Sequence, residues 1–187
     1  GNDFQDFMML CKSVKRLGVL ANANTPEEAI LARKNGAEGI GLARTERMFL
    51  GADRIPVMRE MIMSDNLEDR KKLLEKLLPL QFNDFVEFFR TMDGLPVIIR
   101  LLDPPLHEFL PSKEELMLEI AEMKYKMKGL DKEKKAKMKR KMNEKEAILK
   151  KVLALSEFNP MIGFRGIRVG ILYPEIYEMQ TRAIIRA

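Results

Sequence analysis

Arg44, Arg100 and Arg165 are the residues of this chain whose type and spacing point to chemistry. Arg44 follows the apolar run GIGLA, Arg100 closes PVII, and Arg165 stands in the glycine-rich stretch GFRGIR. Each guanidinium offers planar, paired donors that match a carboxylate or a phosphate. A single arginine at a strand end is ordinarily a surface ion pair. Three of them brought to one mouth make a site for a small polyanion. The stretch after Arg100, LLDPPLHEFLP, adds Asp103, three residues on and placed to orient the arginine, and His107, the only histidine of the chain. Pro104 and Pro105 preset φ there, so little entropy is lost in holding the loop's shape. His107 reads as a supporting, loop-packing residue.

These side chains need elements to carry them. Phe4, Phe7, Met8 and Cys11 recur at helical spacing over 3–14, and LGVLANA (17–23) reads as a short strand. NTPEEAILARKNG then announces a helix, with Thr25 as N-cap, Pro26 at the first position and Gly36 at the stop. AEGIGLAR (37–44) is a second strand, so the segment is a βαβ unit with parallel strands and a right-handed crossover. Helices over 54–64 and 67–92 follow, and a third strand, PVIIRL (96–101), is apolar on both faces and suits a sheet covered on both sides.

From Ser112 the pattern changes. Leu116, Ile120, Met123 and Met127, then Met138, Met142, Leu149, Val152 and Leu153, form two narrow stripes separated by Gly129 and Asp131. They predict a self-sufficient helical hairpin projecting from the body at about 112–157. NPMIGFRGIRVGILYP reads as a fourth, glycine-rich strand region, and a last helix starts at Pro174. The fold class is therefore α/β: the first half of a TIM (β/α)8 barrel, with parallel strands and an inserted helical hairpin. Residues 1–16 form a linker helix, and 17–187 the half-barrel.

Composition narrows the function classes. With 46% hydrophobic residues the chain has material for a sizeable core, and no apolar run reaches the roughly 18 residues of a membrane span. Cys11 stands alone, which excludes an internal disulfide and makes a cytoplasmic setting the default. The net charge of +5 suggests nucleic acid only until it is located. Between Lys113 and Lys151, 14 Lys and Arg stand against 8 Asp and Glu, so the excess is a solvated face of the hairpin with no stacking aromatics interleaved. Neither nucleic acid nor membrane is an expected partner.

NANTPEEAILARKNGAEGIGLARTERMF, GLPVIIRLLDPPLHEFLP and NPMIGFRGIRVGILYPEIYEMQTRAI together resemble the C-terminal phosphoenolpyruvate/pyruvate-binding domain of the pyruvate phosphate dikinases. The resemblance runs from about Phe4 to the end. It implies a multidomain phosphotransferase that interconverts ATP, phosphate and pyruvate with AMP, diphosphate and phosphoenolpyruvate. A phosphohistidine on another domain of the same chain carries the phosphoryl group, and the whole enzyme is a homodimer. Arg44, Arg100 and Arg165 would hold the substrate's carboxylate, phosphate and enolate oxygens. The phosphohistidine, the proton-donating Cys and the Mg2+ ligands would lie outside these residues, which leaves no catalytic residue and no metal ligand here. The chain departs from the family's pattern at Ala43 and Arg47, where Cys and His are common, and at Ile167, where Cys is common. Two alternatives stay open: a phosphoenolpyruvate synthase or enzyme I-like barrel, and a non-catalytic interaction module using the basic hairpin.

Overall fold

The computed structural model describes residues 2–156, 158–159 and 161–187. Helix α1 (Asn2–Val14) leads to strand β1 (Ala21–Asn22), helix α2 (Pro26–Lys34) and strand β2 (Ile40–Arg44). Helices α3 (Ile55–Met63) and α4 (Leu67–Thr91) precede strand β3 (Val97–Arg100). Then come α5 (Lys113–Lys126), α6 (Lys132–Leu155), α7 (Ile167–Leu172) and α8 (Pro174–Arg186), with 3-10 turns at Thr45–Phe49, Leu106–Phe109 and Met127–Gly129.

The caps explain why several of these helices start where they do. Thr25 accepts from the Glu28 N–H at the head of α2, with Pro26 in the first turn, and Asp131 accepts from the Lys134 N–H at the head of α6. Ser112 and Glu115 form a reciprocal capping box on α5.

The sheet is parallel in the order β1-β2-β3. Gly39 brings β2 close to β3: a Cβ there would lie 2.6 Å from the Pro96 carbonyl oxygen, which accepts from the Ile40 N–H at 2.8 Å. Ile40 and Ala43 turn one face of the sheet toward Ala29 of α2 and Phe88 of α4. Ile98 points to the other face and is 54% exposed, so the covering expected on both sides of β3 is found on one side among the described residues. The main core lies beyond the strand ends, where α3, α4 and α8 close around Leu77, Leu102, Phe109 and Ile176.

Two expectations are corrected. No fourth strand forms among the described residues of 159–174; the segment is a loop followed by α7. Gly166 takes φ 53°, ψ −127°, which breaks an extended path, and its N–H donates to the Asp103 carbonyl rather than to a ladder. The observed strands are also shorter than expected, β1 most of all, while the α/β arrangement of a partial barrel stands. The second correction concerns the hairpin. Its two helices form as expected (the proposed end at Glu157 lies outside the described residues), but it is not self-sufficient. Leu116 and Val152 are buried in the main core, with Ile148, Leu149 and Leu155 packed against it. Its base is part of the body, and the residues of its charged far end are mostly exposed.

Helix α1 forms over the expected span, but Phe4, Phe7, Met9, Leu10 and Val14 on it stay exposed. Cys11 is half-buried and lines a cleft of about 580 Å3 between α1 and α2.

Candidate anion-binding site

The parallel register brings the first two arginines together. Arg44 and Arg100 end their strands as register partners, so both side chains leave the sheet at the carboxyl edge. Arg165 arrives from the loop before α7. Its guanidinium hydrogen-bonds the Asp103 carboxylate, which also pairs with Arg100 Nη1 at 3.2 Å. Arg100 Nη2 is in turn held by Glu46, from the 3-10 turn after β2. The three arginines singled out in the sequence therefore converge, and Asp103 stands between two of them.

They line a cleft of about 380 Å3 with Arg47, Glu46 and Glu108, walled by Pro104 and Phe109. Its guanidiniums are not equivalent. Arg100 and Arg165 are engaged by carboxylates, whereas Arg44 and Arg47 have no ion-pair partner among the described residues. The hydrogen bond that Arg165 donates to Asp103 raises the pKa of Arg165 above its ordinary value, with the charges of Asp103, Glu108 and Glu46 adding to it. Its charge is fixed at any working pH. Glu46 Oε2 and Arg100 Nε are buried with no hydrogen-bond partner, so this pair retains unused capacity. An anion entering the cleft meets two free forks and two more whose carboxylates it must share or displace. That arrangement suits a compact ligand carrying more than one negative group.

Behind the cleft lies a layer that the sequence does not announce. The Thr45 hydroxyl donates to the Arg100 carbonyl (3.0 Å), and the Gln180 carboxamide on α8 bonds both Thr45 Oγ1 (3.0 Å) and the Leu102 N–H (2.8 Å). The Tyr177 hydroxyl donates to the Leu102 carbonyl and lies 2.8 Å from that of Gly166, joining the two loops that carry Asp103 and Arg165. Burial raises the Tyr177 pKa, and the nearby Asp103 charge raises it further. Gly166 is required at its position by its positive φ, and a Cβ there would lie 3.2 Å from Asp103 Oδ1. His107 sits on the 3-10 turn Leu106–Phe109, half-buried, with Nδ1 buried and unpartnered; the cleft is lined without it. Ala43 is buried under the sheet, and Ile167 is exposed on α7.

The described residues contain no group of three or more His, Cys, Asp or Glu able to hold a metal ion. No helix among them is long and apolar enough to cross a membrane.

The family model described as PEP-utilising enzyme, PEP-binding domain, matches residues 1–187. The chain is 53% identical over 98% of its length to a pyruvate, phosphate dikinase of Entamoeba histolytica, of which it covers 20%. It is 52% identical over 99% of its length to the chloroplastic pyruvate, phosphate dikinase 1 of Arabidopsis thaliana, covering 18%. To the pyruvate, phosphate dikinase of Giardia intestinalis it is 50% identical over its whole length, covering 19%. The chain thus spans about a fifth of the length of these relatives.

Proposed function

This chain belongs to the phosphoenolpyruvate-utilising enzymes, in their phosphoenolpyruvate-binding domain, and from that premise we propose that its arginine cleft binds phosphoenolpyruvate and pyruvate for a pyruvate phosphate dikinase. The observation that carries the reading is the cross-strand pair Arg44 and Arg100, joined through Asp103 to Arg165. Phosphoenolpyruvate bears a carboxylate and a phosphate ester on the same carbon, and several guanidinium forks at one strand edge suit two such groups at once. The reaction served is the interconversion of ATP, phosphate and pyruvate with AMP, diphosphate and phosphoenolpyruvate. The dikinase names of the relatives support this over a phosphoenolpyruvate synthase.

In that reaction the residues of this chain bind and neutralise. They hold the carboxylate, and they stabilise charge on the enolate and phosphoryl oxygens as the group moves. The phosphoryl donor is a phosphohistidine of another domain in a longer chain. In this reading, residues 1–16 are a linker helix, 17–187 are the first half of the barrel, and the whole protein works as a cytoplasmic homodimer. Magnesium does not fit the cleft, because Glu46 and Asp103 are engaged by guanidiniums and the described residues hold no cluster of three ligating side chains there. No step is assigned to it in this cleft.

Calorimetric titration of phosphoenolpyruvate into the intact protein tests the reading. Arg44→Ala and Arg165→Ala should each weaken binding about tenfold or more, the loss expected for charged hydrogen bonds. Unchanged affinity in both variants would overturn it.

A further inference from the structure

Gln180 and Thr45 are fully buried, each with 0% exposure, and together they make a chain of hydrogen bonds behind the arginines. The Leu102 N–H donates to Gln180 Oε1, Gln180 Nε2 donates to Thr45 Oγ1, and Thr45 Oγ1 donates to the Arg100 carbonyl. Every direction in it is forced. A main-chain N–H can only donate, so the carboxamide oxygen must face Leu102 and its nitrogen must face Thr45. The hydroxyl, accepting from that nitrogen, sends its one proton to the Arg100 carbonyl.

The chain bridges the place where the sheet stops. Arg44 and Arg100 are the last register pair of β2 and β3, and beyond them no ladder holds the strands together. Gln180 supplies the missing connection, from the residue after Arg44 to the residues on either side of Leu101. Packing alone does not call for an amide there. The other buried positions of α8 are Ile176, Met179 and Ala183, with Glu175 in the first turn paired to Arg70, and a buried amide is costly unless it is paired.

We propose that Gln180 is a positioning residue that acts through Thr45 to set the spacing of the Arg44 and Arg100 guanidiniums, and with it the affinity of the cleft for a phosphorylated carboxylic acid. The inference rests on the reading of the cleft as the phosphoenolpyruvate site.

The test is a double-mutant cycle in the intact protein, read by calorimetric binding of phosphoenolpyruvate, with circular dichroism as the check on folding. Gln180→Met fills the same space but strands the Leu102 N–H and uncouples Thr45, so it should weaken binding about tenfold. Arg100→Ala should weaken it at least as much. Because Gln180 acts through Arg100, the double variant should bind no worse than Arg100→Ala alone. Thr45→Ser should bind like the unaltered protein, and Thr45→Val like Gln180→Met. Arg100→Ala with undiminished affinity would refute the reading of the cleft itself. If Arg100→Ala weakens binding while Gln180→Met does not, or if the two losses multiply, Gln180 is only part of the core and the inference fails. Should Gln180→Met not fold, the Thr45 pair decides: equal affinity of the Ser and Val variants overturns the proposal.

Discussion

Asp103 and Arg165, 62 residues apart, are joined by a direct hydrogen bond, and the same carboxylate reaches Arg100. One acid thereby fixes two guanidiniums that belong to different loops. Asp103→Asn keeps the shape and removes the charge that both arginines face. The freed guanidiniums should bind inorganic phosphate more tightly, while the proposed transfer between phosphohistidine and pyruvate in the intact protein should slow about tenfold or more. Phosphate inhibition and single-turnover transfer measure the two effects. If both stay unchanged, Asp103 does not organise the cleft.

The hairpin divides into a base that the core needs and an end that it does not. Leu116 has no exposed surface and packs in the main cluster with Val152. Leu116→Ala should cost about 2–5 kcal/mol of stability, as other large-to-small core changes do. Shortening the charged end, between Tyr125 and Lys141, should leave the melting temperature within a few degrees. Thermal unfolding followed by circular dichroism separates the two, and equal effects would contradict the division.

Tyr177 should impose an alkaline limit on the site. Its folded pKa is raised, chiefly by burial. Its contribution to stability is full below the ordinary phenol value, about 10, and is lost as pH rises through the higher folded value. Absorbance titration should show a tyrosine step above the ordinary phenol value. Tyr177→Phe should remove that step and loosen the loops carrying Asp103 and Arg165. A titration without a step above the ordinary phenol value would refute the assignment.

Local signals made much of this legible. Apolar runs ending in arginine located Arg44 and Arg100, and parallel register then placed them side by side. Asp103 was legible because it lies three residues from the arginine that it serves. Thr25, Pro26 and Asp131 marked helix starts by well-understood capping chemistry. IRVGIL was misread because six mostly apolar residues suit strand and helix equally, and Gly166 decided between them. Gln180 gave no signal at all. It sits on an amphipathic helix as any polar residue might, and its partners, Thr45 and Leu102, lie 135 and 78 residues away. Glu46 was overlooked for a related reason, because its role depends on Arg100 across 54 residues.

Arg100 is the residue on which the proposed chemistry most depends. It ends β3, pairs with Glu46 and Asp103, and keeps Nε buried without a partner. Its main-chain carbonyl is held by Thr45, so neither backbone nor side chain is free to drift. Arg100→Lys keeps one positive charge but loses the fork, and a lysine cannot meet Glu46, Asp103 and a phosphoryl oxygen in one plane. In the intact protein it should cost about 3 kcal/mol or more of transition-state stabilisation, on the order of a hundredfold in rate. In the proposed reaction the carrier histidine is phosphorylated in another domain, so that half-reaction should proceed at its normal rate. Two single-turnover assays, one for each half-reaction, decide the matter. If transfer to pyruvate slows alone, Arg100 acts on the phosphoryl group; if both halves slow together, or neither does, its role is structural.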